Sequence, residues 1–335
     1  MFKKSKLSIG LDIGSNFIKA VKIEKSDKYL VKDFIIQKIQ SQQNLSVILK
    51  EVLEKIKAKD IPLNISLSGQ NVVCRYATIP LLSDLEFKNS LKFEITKYTP
   101  FLPADIYFDG YILRKDEKQN KMLVVIVAVK KEYLNQRLKL MKEIGYELNV
   151  VDIDCLALVN CFNFNFSKNK DLINKTVALL NIGDSLSNLN ILEKDTPLLS
   201  RDIRIGGKEI TSRISLDLSC SLEEAERIKI KATSDKEELE RIKPSLENVL
   251  SFLAHELRIS FDYYESQSAS TVEKLYLCGG QVLLKDIKDI LANYLGIETE
   301  IFEPLEGFVL DENLDIEKIK VNSLQLAVAL GLALR

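Results

Sequence analysis

Residues 7–21 read LSIGLDIGSNFIKAV: an apolar run reaches one acid, Asp12, passes a short Gly-Ser-Asn turn and becomes apolar again. Two apolar segments separated by a short polar turn with glycine predict a β-hairpin with strands at 7–13 and 17–24. A third strand is predicted at 29–37. The chain is therefore expected to open with an antiparallel sheet rather than with a strand followed by a crossover helix.

The hairpin turn combines residue types that hold phosphate with residue types that hold a metal ion. Gly14 lets the backbone approach a ligand closely, and Ser15 and Asn16 add polar side chains beside backbone N–H groups. Lys19 supplies a positive charge, and Asp12 could hold Mg²⁺ through water, because this ion dehydrates reluctantly. Ordinary hairpin turns also use aspartate and glycine, so this stretch alone leaves both interpretations open.

The same pattern returns in the second half of the chain. Residues 173–205 contain ALLNIGDSLSNLNIL, again an apolar strand, a polar turn with glycine and a further strand. A third segment, LYLCGGQVLL at 275–284, predicts a strand that ends at Gly279 and Gly280, where a flat ring could pass close to the backbone. Two halves that open alike predict a duplicated, two-lobed molecule with a cleft between the lobes.

Length and composition exclude several classes of protein. The 335 residues suggest roughly two domains, and a net charge of -1 leaves no field that would attract nucleic acid or acidic membranes. Apolar runs such as 123–129 are much shorter than the ~20 residues that cross a bilayer, so no direct membrane insertion is expected. The single histidine, His255, lacks the H-E-x-x-H pattern of a zinc protease. The cysteines are scattered, as in a cytoplasmic protein with reduced thiols: Cys74, Cys155, Cys161, Cys220 and Cys278.

Between the two halves lies a block, residues 83–152, that is expected to be a small α/β unit. Its first helix begins at Ser83, which forms a capping-box pattern with Glu86 three residues later. The rest of the block predicts strands at 105–114, 121–129 and 147–152 and a helix at 131–144. In the second half the charged segments predict helices at 207–216, 221–232, 235–268 and 281–294, and SLQLAVALGLALR predicts a closing apolar helix.

These three glycine segments, in this order, resemble the phosphate and adenosine motifs of the actin-like ATPase superfamily. Within it, FEITKYTPF at 93–101, RDIRIGGKEIT at 201–211 and LQLAVALGLALR at 324–335 resemble the PilM family of type IV pilus assembly. The resemblance implies an α/β, two-lobed actin-like ATPase fold, made of duplicated ribonuclease-H-like domains with an inserted α/β subdomain. The implied regions are a first lobe at 1–82, 153–172 and 323–335, the inserted subdomain at 83–152, a second lobe at 173–206 and 271–322, and its helical subdomain at 207–270.

The resemblance also implies ATP with Mg²⁺ in the cleft. Asp12 is expected to face the metal ion, and Asn181 replaces the aspartate that begins the second phosphate turn in many relatives. Because an amide cannot act as a carboxylate base, we expect slow or absent turnover. Asp184, three residues on, is a candidate substitute. The residues expected to bind the nucleotide are Asp12, Gly14, Ser15, Asn16, Lys19, Asn181, Gly183, Ser187, Asn188, Glu226, Lys229, Gly279 and Gly280.

The implied function is a cytoplasmic ATP-binding scaffold, peripheral to the inner membrane through its partners. The implied partners are the N-terminal cytoplasmic tail of the membrane protein PilN and other inner-membrane pilus assembly proteins. We expect the PilN tail in an apolar groove between the main lobe and the inserted subdomain, near four aromatic residues that could equally be core: Phe87, Phe93, Tyr98 and Phe101. The alternatives are a polymerising, FtsA-like division protein and a sugar-kinase-type phosphotransferase; filament formation and self-association stay open.

Overall fold

The computed structural model describes residues 6–39, 44–166 and 175–335, with elements numbered in chain order. The first lobe is built on a six-stranded sheet. Its strands, in spatial order, are β14 (Val309–Leu310), β3 (Tyr29–Lys38), β2 (Phe17–Lys25), β1 (Lys6–Ile13), β4 (Leu63–Leu67) and β8 (Val150–Ile153). The first three strands of the chain pair antiparallel, and β4 and β8 then extend the sheet in parallel.

The second lobe repeats this topology. Its five-stranded sheet has the order β11 (Thr196–Ile203), β10 (Ser187–Glu193), β9 (Thr176–Ile182), β12 (Lys274–Cys278) and β13 (Glu298–Ile301). Again three antiparallel strands come first and two parallel strands follow. The duplication predicted from the two glycine turns is therefore confirmed in strand order as well as in sequence.

Two helices lie between the sheets of the two lobes. They are α4 (Asp154–Phe166) and α10 (Ala327–Ala333), and one apolar cluster joins them to Val21 of the first sheet and Leu179 of the second. Their contact is close because Gly331 of α10 faces α4: a Cβ there would lie 1.8 Å from the carbonyl oxygen of Ala157. On the other side of α10, a Cβ on Gly10 would lie 1.9 Å from the carbonyl oxygen of Ala329.

The outer faces of both sheets carry further helices. On the first sheet these are α1 (Leu45–Lys55) and α3 (Lys131–Glu143). The second sheet carries α5 (Gly207–Asp217), α6 (Leu222–Ala232), α7 (Lys236–Gln267) and α8 (Asp286–Leu295), and α9 (Ile316–Asn322) precedes α10. The predicted helix at 281–294 is split, because a 3-10 turn, Gly280–Leu283, precedes α8. No helix within the described ranges has the length and apolar character needed to cross a bilayer.

The third sheet is smaller and its limits differ from those expected for the inserted subdomain. It has the order β5 (Val72–Pro80), β7 (Lys121–Lys130) and β6 (Ile106–Asp116), and α2 (Asp84–Tyr98) covers one face. The capping box of Ser83 and Glu86 is confirmed. However, β5 lies before residue 83, whereas β8, which begins inside 83–152 and ends at Ile153, pairs with β4 of the first lobe. The division into four regions otherwise stays a prediction.

Candidate functional site

The two glycine turns face the same cleft, which has a volume of about 550 Å³. Their backbones match: the N–H of Gly14 donates to the carbonyl of Phe17, the N–H of Gly183 donates to the carbonyl of Leu186, and both distances are 3.1 Å. A Cβ at Gly14 would lie 2.9 Å from the first of these carbonyl oxygens, and one at Gly183 would lie 2.7 Å from the second. Each lobe thus presents a turn that only glycine fits without a shift of the backbone.

The cleft brings together most of the predicted nucleotide residues. Ser187 and Gly279 are not on its wall. Ser187 is fully buried and its hydroxyl donates to the carbonyl of Ile205, while Gly279, with a φ of 101°, forms the turn after β12. The predicted residues on the wall are Asp12, Gly14, Ser15, Asn16, Lys19, Asn181, Gly183, Asn188, Glu226, Lys229 and Gly280.

Asp12 and Lys19 form an ion pair in the first-lobe wall. They are cross-strand partners in the hairpin, and the Nζ of Lys19 lies 2.7 Å from Oδ2 of Asp12. Both side chains are largely buried, so the pairing compensates each charge for lost solvation. In this arrangement Lys19 neutralises the carboxylate that was expected to face a metal ion.

Asp184 crosses the cleft and connects the two turns. Its carboxylate accepts from the hydroxyl of Ser15 at 3.1 Å and from the amide of Asn16 at 3.4 Å. Lys208 lies 3.9 Å from the same carboxylate. The acid considered as a substitute for Asn181 therefore points to the glycine turn of the opposite lobe.

A chain of polar contacts begins at Asn181 and also reaches the first lobe. The amide of Asn181 donates to Asn188 at 2.9 Å, and the amide of Asn188 donates to Asp202 at 2.7 Å. The other carboxylate oxygen of Asp202 accepts from the backbone N–H of Gly69 at 2.6 Å. The amide of Asn181 thus serves a structural network, and Asp202 belongs to this network although the sequence did not indicate it.

Glu226 and Lys229 form a buried polar cluster on α6. Lys229 lies 2.8 Å from the carboxylate of Glu226 and donates to the hydroxyl of Thr211 at 2.8 Å and to the carbonyl of Gly207 at 3.0 Å. Burial opposes the ionisation of Glu226, but the charge of Lys229 and hydrogen bonds outweigh it and lower its pKa. The pair, expected from the resemblance alone, is not the solvated pair of an exposed helix face.

Sequence reasoning missed Asp154, which lies on the cleft wall at the start of α4. Burial, together with the nearby charge of Asp12, raises its pKa to about 7, although the neighbouring hydroxyls of Ser66 and Ser68 oppose the shift. The signal in the sequence was an acid directly after a predicted strand, in VVDIDCLAL. A carboxyl group with a pKa near neutrality can accept or donate a proton at physiological pH.

A second cavity, the groove, separates the third sheet from the first lobe and has a volume of about 780 Å³. Its walls come from β4, β6, β7, α3, β8, α4, the turn between β10 and β11 with the start of β11, and Arg335. The four aromatics predicted to line a partner groove do not line this cavity: Phe87 is a buried residue of α2, Tyr98 and Phe101 pack against the same core, and Phe93 is exposed. The apolar side of α2 faces its own sheet, and a partner site at these four residues stays a prediction.

Within the described ranges, no cluster of three or more histidine, cysteine, aspartate or glutamate side chains could hold a metal ion.

A family model described as type IV pilus assembly protein PilM matches residues 10–335. The chain belongs to the PilM family. Among solved structures it is similar to the PilM–PilN type IV pilus biogenesis complex, with 24% identity, 98% of each chain covered and a TM-score of 0.86.

More distant structures share the fold. EutJ, an ethanolamine utilization protein from Carboxydothermus hydrogenoformans, has 14% identity, with 98% of this chain and 89% of that chain covered and a TM-score of 0.57. MreB5 of Spiroplasma citri bound to ADP has 12% identity, with 97% and 94% covered and a TM-score of 0.52. The predicted two-lobed actin-like ATPase fold and the predicted PilM resemblance are both confirmed.

Proposed function

We propose that the chain is an ATP-binding scaffold of type IV pilus assembly that binds the cytoplasmic tail of a PilN protein. Membership of the PilM family over residues 10–335 is the observation that carries the pilus role. Through PilN the chain would be held at the cytoplasmic face of the inner membrane. Two cavities support the two halves of the proposal: the cleft for nucleotide and the groove for the tail.

The cleft fits a nucleotide with its phosphates between the lobes. The matched turns of Gly14 and Gly183 line the cleft, one from each lobe, so a phosphate chain would fit between them. Glu226 and Lys229 stand at the second-lobe wall, where a ribose and base would lie. Mg²⁺, if bound, would be held by Asp12 and water and would neutralise phosphate charge. Lys19 would then be released from Asp12 toward the phosphates.

We also propose that turnover is slow. Asn181 is not a base, and its amide is occupied by Asn188. Asp154 is the carboxyl group on the cleft wall whose pKa, at about 7, suits proton transfer. Since a carboxyl with that pKa is only partly ionised at neutral pH, it is a limited base.

The groove suits an extended peptide. Both β8 and β6 are edge strands of their sheets and both line it, so unpaired backbone groups face the space between them. Tyr107 and Tyr111 of β6 are exposed on its wall. The amide nitrogen of Asn160, also on the wall, is buried and has no hydrogen-bond partner within the described ranges.

Calorimetric titration of nucleotide-free protein with Mg-ATP tests the first half. We expect one-to-one binding at micromolar affinity or tighter. Asp12→Ala should weaken it about tenfold or more, while Asp27→Ala, an exposed acid in the next turn, should not. If the folded wild-type protein bound no Mg-ATP, the ATP-binding half of the proposal would be refuted and the chain would be a scaffold that works without nucleotide.

Two exposed aromatic residues provide a test variant and a matched control for binding of the PilN tail in the groove. Tyr111 lines the groove and is 70% exposed, whereas Phe93 lies on α2 outside it and is 69% exposed. Fluorescence anisotropy with a labelled tail peptide of the cognate PilN should show about tenfold weaker binding for Tyr111→Ser, the loss expected for an aromatic anchor. Phe93→Ser should bind normally. The reverse result would restore the surface of α2 as the partner site.

A further inference from the structure

The cleft and the groove share three stretches of wall. At each stretch, neighbouring residues of one element face different cavities. At the end of β4, Leu67 lines the groove and Ser68 lines the cleft. Where β8 joins α4, Ile153 lines the groove and Asp154 lines the cleft. On α3, Leu134 lines the groove and Tyr133 lines the cleft. A change of position in any of these elements would therefore alter both cavities.

On α3 the cleft side continues one turn later with Arg137. This side chain is half-buried and makes no hydrogen bond or ion pair with any residue in the described part of the chain. Among the described residues, the other two cationic side chains on the cleft wall are both paired, Lys19 with Asp12 and Lys229 with Glu226. Of the cations that the structure describes on this wall, Arg137 is thus the one left for a ligand.

The position of Arg137 indicates which part of a ligand it would meet. α3 packs beside α1 on the first lobe, whereas Glu226 and Lys229, at the proposed ribose and base side, belong to α6 of the second lobe. A nucleotide whose phosphates enter between the two turns would extend its last phosphate toward the first-lobe wall. Guanidinium binds phosphate through two parallel hydrogen bonds, which favours arginine at such a place.

We propose that Arg137 binds the terminal phosphate of a nucleoside triphosphate and that α3 transmits this contact to the groove through Leu134. The inference rests on the proposed nucleotide function. It adds a residue that distinguishes triphosphate from diphosphate and a physical link from that distinction to the partner site. Such a link is a coupling free energy, so the groove ligand and the triphosphate should affect each other reciprocally.

Affinities for Mg-ATP and Mg-ADP test the first part, measured by calorimetry on the full chain. Arg137→Gln should weaken Mg-ATP about tenfold to a hundredfold, as for a lost charge-assisted contact, and change Mg-ADP less than about twofold. Lys139→Gln removes a charge from an exposed position of the same helix and should change neither. Equal losses for both nucleotides, or none, would overturn the inference while leaving nucleotide binding intact. Failure of the wild type to bind either nucleotide would overturn the proposed function, and this inference with it.

Hydrogen exchange tests the transmission. With saturating Mg-ATP, amides of α3 and of β8 at the groove wall should exchange several-fold more slowly than with Mg-ADP. In Arg137→Gln that difference should vanish although both nucleotides are bound at saturation. A wild-type difference limited to the glycine turns, or one that persists in the variant, would overturn the role of α3.

Discussion

Gly331→Ala should destabilise the protein, because α10 is enclosed on both sides. The added Cβ would lie 1.8 Å from the carbonyl oxygen of Ala157, whereas real Cβ atoms essentially never come within 3.0 Å of such an atom. The two helices would have to separate by more than 1 Å. α10 cannot move away from α4, since the backbone at Gly10 of β1 already contacts the opposite face of α10.

The loss of stability in Gly331→Ala can be worked out from the gap that opens between α10 and α4. A gap of 0.5–1 Å forfeits about a quarter to a half of the dispersion energy between facing atoms, and forced overpacking costs about 1–3 kcal/mol or more. Every residue of α10 is buried, so the loss lies at the upper end of this range. The better helix propensity of alanine returns about 1 kcal/mol. With about 3–4 kcal/mol for the overpacking, the net loss is about 2–3 kcal/mol. Because the unfolding entropy is about 2.1 cal/mol/K per residue, this loss lowers the Tm of a 335-residue chain by about 3–4 °C.

Urea unfolding followed by circular dichroism, together with thermal melting, would measure this loss. Gly280→Ala is the matched control, because its Cβ would meet nothing closer than 3.7 Å and its φ is not positive. It should melt within about 2 °C of the wild type, as a change below 1 kcal/mol requires. If Gly331→Ala melted as late as the control, α10 would not be seated between β1 and α4 as described.

Two further predictions concern acids of the cleft. The pKa of Asp154 is raised from 3.8 to about 7, so the stability that its protonated form provides should be lost as pH rises from about 4 to about 7. Asp154→Asn should remove this pH dependence and should unfold at a higher urea concentration than the wild type at pH 8. If the stability of the variant depended on pH as that of the wild type does, the raised pKa of Asp154 would be contradicted. Asp184→Ala removes a carboxylate that accepts hydrogen bonds from Ser15 and Asn16 and that would repel phosphate. This variant should bind Mg-ATP about tenfold more tightly. Weaker binding would instead assign Asp184 to the ligand.

The glycine turns could be predicted because their pattern is local. Each needs only an apolar run, a glycine and a polar cluster, and the structure places both turns on one cleft. By contrast β5 and β13 lack a strong pattern: β5 alternates irregularly between buried and exposed residues, and three of the four residues of β13 are exposed. Their pairing comes from neighbouring strands, which a local pattern does not contain.

Side-chain roles were harder to predict than elements. Asp154 and Arg137 reach the cleft only because β8 joins the first sheet and α3 packs against it, contacts that are distant in sequence. The aromatic residues of α2 gave an apolar pattern that is equally consistent with a groove or a core. The structure shows a core for Phe87, and it reveals a groove whose walls come from segments that are far apart in the sequence.

The seat of α10 has a consequence for how the protein is made. The strands β1 to β3 are synthesised early, yet the face that they turn toward the second lobe is covered partly by α10, at residues 327–333. At translation rates of about 5–20 residues per second, α10 is synthesised on the order of 10 s after β8, and until then it cannot cover that face. During this interval the nascent first lobe exposes apolar surface, which is where chaperone binding and misassembly would compete with folding.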